Sequence, residues 1–229
     1  MMPVKKEPES SEQTGDSLSY DGIPFNVFLD GNIGDQKTSQ IIKELIFWEN
    51  QNLLSAIKRG PVYPIILHVN SFGGDVYDTL SIIDTMKGLE TPVVTYCSGK
   101  AMSGAALVFL AGKKGHRLLS RNGWIMIHEV SSLLSGPLSK IKHTGNHLGK
   151  LQRQLENQIS QLSGIEIKKI RCLLKEDQYY NAKESIKNGL ADRIVYKVPK
   201  IVEGISMCYF AEGQLNPTNL YKNTKKGKS

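Results

Sequence analysis

Residues 63–107, YPIILHVNSFGGDVYDTLSIIDTMKGLETPVVTYCSGKAMSGAAL, carry the pattern that decides the fold. YPIILHVN is a nearly continuous apolar run, as expected of a strand buried on both faces of a parallel sheet. SFGGDV breaks that run, and YDTLSIIDTMKGL then spaces its apolar residues along one face of a helix ended by Gly88. PVVTYCSG predicts the next buried strand, and AMSGAALVFLAGKKG the next helix. Strands and helices alternating in this way predict an α/β fold with right-handed crossovers.

The same alternation extends in both directions. FNVFLDGNI (25–33) predicts a strand closed by a glycine turn. Apolar residues at 41, 42, 45, 46, 48, 53, 54 and 57 then mark an amphipathic helix, capped by Asp35 or Thr38 and ended by Gly60 and Pro61. HRLLSRNGWIMIHE supplies two short strands around Asn122-Gly123. From about 137 to 174 the pattern is helical, with Leu138, Ile141, Leu148, Leu151, Leu155, Ile159 and Leu162 forming a long apolar stripe. ESIKNGLADRIV closes the domain with a helix, a glycine turn and a strand. No internal repeat is present.

At 229 residues, 40% hydrophobic and 22% charged, the chain suits one sizeable domain with tails. No apolar run approaches the roughly 20 residues of a membrane-spanning helix. The first 22 residues are polar and lack the apolar segment of a signal peptide, so a cytoplasmic location is expected. Cys97, Cys172 and Cys208 are odd in number and show no CxxC spacing, which points to reduced thiols and no metal site. The net charge is +7, and four lysines crowd into the last eight residues, KNTKKGKS. With no aromatic residues interleaved among the basic ones, nucleic-acid binding is not expected as the main function.

Chemistry in an α/β unit collects at the carboxyl ends of the strands. Two glycine- and serine-rich loops leave those ends here, NSFGGDV and CSGKAMSGA. Gly73 and Gly74 lack a Cβ, so backbone N–H groups can approach a bound carbonyl as an oxyanion hole requires. Ser103 stands where a helix begins, and the Gly104 N–H is a second candidate donor. Tight turns alone would explain the same glycines. An activated serine needs a base, and His128 sits at the end of the apolar strand WIMI, where its side chain leaves the core. His68 lies inside a buried strand, and His116 follows a Lys-Lys-Gly turn. His143 and His147 have a metal-binding spacing but no third ligand. Lys100 precedes Ser103 by three residues, the reverse of a Ser-x-x-Lys dyad.

Taken together, the segment from Ile66 to Glu129 resembles the proteolytic subunit (ClpP) of the Clp protease family. In that family a strand ends in Asn-Ser-Pro-Gly-Gly and the following helix carries Asp-Thr-Met. The nucleophilic serine lies in a Gly-x-Ala-x-Ser context and the histidine in Met-Ile-His. Each motif has its counterpart here, in the same order and at similar spacing, and DQYYNAKESIKNGLADRIV resembles the family's C-terminal segment. The resemblance covers about residues 25–196.

It implies a ClpP/crotonase-like spiral of β-β-α units with a protruding handle strand and helix at about 130–162. The peptidase domain would span 23–197, between a flexible tail at 1–22 and a C-terminal extension at 198–229. Ser103 would be the nucleophile, His128 the base, and Gly74 and Gly104 the oxyanion donors, with no cofactor or metal. The implied activity is ATP-dependent serine endopeptidase action on unfolded polypeptides inside a double-ring barrel. The partners would be copies of the chain in two stacked heptamers, or a mixed ring with a related subunit, and an AAA+ Clp unfoldase.

The family's third catalytic residue is an aspartate, and a gap-free alignment puts Leu173 at that position. Asp177 then matches a second family aspartate, which leaves Glu176 as the expected substitute acid, ahead of Glu129. A leucine there would also suit a catalytically weak or inactive structural subunit. Phe72 replaces the loop proline, and Val130 follows His-Glu where proline is usual. A crotonase-type acyl-CoA enzyme also uses glycine-rich oxyanion loops, but it has no need of Ser103 and His128 together.

Overall fold

The computed structural model describes residues 25–202 and 205–208. The expected tail at 1–22 and the lysine-rich terminus lie outside the described residues. In chain order the elements begin with β1 (Asn26–Ile33), α1 (Asp35–Ile57), β2 (Ile65–Gly74), α2 (Val76–Gly88), β3 (Val93–Met102) and α3 (Gly104–Leu110). They continue with β4 (Arg117–Ser120), β5 (Trp124–Ile127), α4 (Leu138–Ser163), α5 (Ile167–Leu173), β6 (Gln178–Tyr180), α6 (Ala182–Lys187) and β7 (Arg193–Val195). A separate hairpin of β8 (Lys200–Val202) and β9 (Ile205–Cys208) follows.

The main sheet runs β1-β2-β3-β4-β7, all parallel. Its fork at β3 creates the site. The first half of β3 pairs with β4 through Thr95–Cys97, and the second half pairs with β5 through Lys100–Met102. The turn through Asn122-Gly123 steps the chain from the first position to the second. β6 then closes on the free edge of β5, antiparallel.

Two strands run further than the sequence pattern suggests. β2 does not stop before SFGG: Ser71 pairs with Ala101, Gly73 with Asn32 and Gly74 with Ile33. β3 likewise continues through Ala101 and Met102, and the helix starts only at Gly104. Ladder bonds from both neighbours outweigh the poor strand propensity of glycine. Gly74 is indispensable to this approach, since a Cβ there would lie 2.0 Å from the Ile33 carbonyl oxygen.

The expected helix over about 137–174 is divided. Gly164 takes a left-handed conformation (φ 82°) and ends α4, and helix resumes at Ile167. Among the described residues, none pairs as a strand with 128–137, so the expected handle strand is chain without a ladder. The first half of α4 projects with no buried residue; Leu151, Glu156 and Ile159 anchor its second half.

The main core fills the space between the sheet and the helices, with Leu67, Val69, Ile82, Ile83, Val108 and Phe109 sealed from solvent. Ile66, Val94, Tyr96, Leu118 and Val195 form a smaller cluster. His68 stacks on Phe28, with ring centroids 4.6 Å apart, and its Nε2 lies 2.6 Å from Asn26 Oδ1. Burial lowers its pKa to about 4, so it is neutral at physiological pH.

Arg117 is fully buried and joins the sheet to the end of α4. It donates to both carboxylate oxygens of Asp192, at 2.6 and 2.8 Å, and to the Leu162 carbonyl at 3.0 Å. Burial raises the Asp192 pKa, but the Arg117 and Gly115 hydrogen bonds outweigh it and hold the carboxyl below its ordinary value.

Candidate active site

β3 delivers the chain to Ser103, which adopts φ 54°, ψ −126° before α3 begins. A non-glycine residue in such a conformation costs roughly 1–3 kcal/mol and persists only where its surroundings impose it. Here the Ser103 N–H donates to Met126 O at 2.9 Å, while its carbonyl accepts from the Ala106 N–H at 3.0 Å. This strand-to-helix elbow turns Oγ away from the sheet toward the strand ends.

The glycine loops press directly on the elbow. Gly73 has φ +96°, and a Cβ on it would lie 2.6 Å from Met102 O and 2.9 Å from Ser103 Cβ. Its N–H is already used, donating to the buried Ser71 Oγ at 3.0 Å. Gly74 and Gly104 line the pocket beside Ser103 and His128. A Cβ on Gly104 would meet Thr79 Oγ1 at 2.3 Å, so glycine permits α3 to approach α2 there. Asp75 caps α2 by accepting from the Tyr77 and Asp78 N–H groups at 2.8 and 3.0 Å, holding the rim behind the loop.

The position of His128 follows from strand register. Met102 pairs with Met126, so Ser103 and His128, just beyond those strands, emerge side by side. His128 Nε2 lies 2.8 Å from Ser103 Oγ.

The antiparallel ladder of β5 and β6 pairs Ile125 with Tyr180, Met126 with Tyr179 and Ile127 with Gln178. One further step puts His128 opposite Asp177. Asp177 Oδ1 lies 3.9 Å from His128 Nδ1, within ion-pair distance and beyond a direct hydrogen bond. The carboxylate facing the imidazole is therefore Asp177, where the sequence leads to an expectation of Glu176. Leu173 ends α5, and the Glu176 N–H closes the following turn on Leu173 O at 3.4 Å, with its side chain exposed. That turn leaves Asp177 as the last residue before the ladder.

The pocket walls are mostly apolar: Val76, Leu107, Leu155, Ile159 and Leu174, with Glu129, Val130 and Ser131 along the rim. Lys100 is turned onto the exposed Phe72 ring, 4.3 Å from its centroid, while the Ser103 hydroxyl faces His128. His147 Nε2 meets Tyr77 Oη at 2.5 Å. Among the described residues, no group of three or more His, Cys, Asp or Glu gathers for a metal. Sequence reasoning gave no role to Gln152, Glu156 or Arg171, which are joined by hydrogen bonds beside this site. The only linear hint was a polar i, i+4 pair, Gln152 and Glu156, among the inward-facing leucines of the stripe.

Among the described residues, no helix is long and apolar enough to cross a membrane. A family model described as Clp protease matches residues 14–198. That match takes in both glycine loops, the serine elbow, the histidine and the facing aspartate, and the chain belongs to the Clp protease family.

Proposed function

We propose that this protein is a self-compartmentalised serine endopeptidase acting on unfolded polypeptides. The observation that carries the reading is the 2.8 Å contact between Ser103 Oγ and His128 Nε2 on a strained strand-to-helix elbow. His128 takes the hydroxyl proton as Oγ attacks the scissile carbonyl, then delivers it to the departing amine. The developing oxyanion is received by the N–H groups of Gly74 and Gly104. A water activated by the same imidazole hydrolyses the acyl-enzyme.

Asp177 holds the Nδ1–H tautomer and stabilises the imidazolium. Its 3.9 Å separation closes by about 1 Å when substrate orders the site, as catalytic hydrogen bonds commonly tighten on binding. A missing acid would favour an inactive structural subunit, and the presence of Asp177 beside His128 supports the active reading instead.

Compartmentalisation is supported by the projecting half of α4 and the segment before it. Leu133 is 95% and Leu138 67% exposed, apolar surface suited to burial against other subunits of a stacked double ring. An AAA+ Clp unfoldase would feed such a chamber in an ATP-dependent cycle.

A fluorophosphonate probe on the assembled full-length protein tests the reading. Labelling of Ser103, its loss in Ser103→Ala and turnover of a fluorogenic peptide are the expected results. An assembled protein in which Ser103 takes no label would overturn it.

A further inference from the structure

We propose that Glu156 is a positioning residue that holds the base and the acid of this site in register. The inference rests on the peptidase reading above. His128 and Asp177 both stand one residue beyond the ends of a three-rung ladder, Ile125–Ile127 against Gln178–Tyr180. Ends of so short a ladder fray unless something outside it grips both strands.

Glu156 does so from α4. It is buried, and each carboxylate oxygen has its own donor. Oε1 accepts from Gln152 Nε2 at 3.1 Å, and Oε2 accepts from Arg171 Nε at 3.0 Å. Gln152 Oε1 in turn accepts from the Val130 N–H at 2.8 Å. One arm of this relay therefore fixes the backbone two residues past His128, where the chain runs without a ladder. The other reaches α5, whose end leads through a single turn to Asp177. Glu156 and Gln152 share the inward side of α4 with Leu151, Leu155 and Ile159. Apolar residues would stabilise that packing at least as well as a buried ion pair. What the polar pair supplies is directional bonds to the two segments that carry His128 and Asp177.

The test uses full-length Gln152→Met, which keeps side-chain length and removes both bonds, and Glu156→Gln, which removes the charge and one of the two acceptor oxygens. Arg171→Met, at the exposed end of the relay, serves where a buried variant fails to fold. Three quantities are read: kcat and KM for a fluorogenic peptide, and the rate of fluorophosphonate labelling. The carboxylates near His128 are Asp177 across the ladder and Glu129 next in the chain, and neither is altered. A misplacement of this kind lowers kcat and the labelling rate on the order of tenfold in Gln152→Met, with less change in KM.

Wild-type labelling rate and wild-type kcat in all three variants, even with a lower melting temperature, would overturn the positioning role. A wild-type protein whose Ser103 takes no label would overturn the peptidase reading itself, and this inference with it.

Discussion

The two sides of the candidate site are built by different means. On the serine side, main chain does the positioning. Ser103 is held by its own N–H and C=O, and Gly73, Gly74 and Gly104 sit where a methyl group would collide with backbone or Thr79. On the histidine side, side chains do it. His128 and Asp177 lie just past a three-rung ladder, 3.9 Å apart, with Asp177 57% exposed. Main-chain construction makes the Ser103 elbow and the glycines beside it rigid and intolerant of substitution. Side-chain construction leaves the His128–Asp177 pair more adjustable.

The largest effect that would break this picture concerns the nucleophile. Ser103→Ala should lower kcat on the order of 10⁶-fold, measured on a fluorogenic peptide, with the fold intact by circular dichroism. Loss of less than tenfold would mean another group attacks. The acid comes next: Asp177→Asn should lower kcat about 10⁴-fold, or about 5.4 kcal/mol of barrier. Glu176→Gln should leave it unchanged, and the opposite ranking would restore Glu176 as the acid.

The rigid side then predicts a loss of stability rather than of chemistry alone. Gly74→Ala forces a methyl group against Ile33 O at φ +154°, and should destabilise the fold by about 2–4 kcal/mol in urea titrations. A stable, fully active Gly74→Ala protein would show that the loop is not fixed by main-chain packing.

The smallest expected effect separates pH dependence of the fold from that of the site. His68 is neutral in the folded state down to a pKa of about 4, whereas the unfolded chain takes up a proton near the ordinary value of 6.5. The unfolded state thus binds more protons as pH falls from 6.5 toward 4, so stability declines through that window and the His68 contribution levels off below it. His68→Gln should flatten this decline in urea midpoints without moving the activity profile. Asp192 acts lower still. Its depressed carboxyl gives stability that is present above the ordinary carboxylate pKa and is lost as pH falls through the folded value.

Much of this architecture is legible along the chain. The apolar run of β2, the helical spacing of α1 and α2 and the glycine-rich loops are patterns within a few residues, and local patterns report local conformation. Ser103 and His128 are legible for the same reason, each lying at the end of an apolar strand. The reading failed wherever pairing overruled propensity. β2 and β3 continue through glycine and serine because neighbouring strands supply ladder bonds. A different miss is α4, which stops at Gly164 within the span that reads as helical to about 174.

Sequence alone determined the order of elements and singled out Ser103, His128 and the glycines beside them as candidates, because each depends on residue type and short-range spacing. Only the tertiary structure decided which carboxylate faces the imidazole, and that Gln152, Glu156 and Arg171 brace the pair. Those choices depend on the register of β5 against β6 and on which side of α4 turns inward. Register is set by hydrogen bonds between segments remote in the chain, so counting along it from either residue does not reveal their meeting.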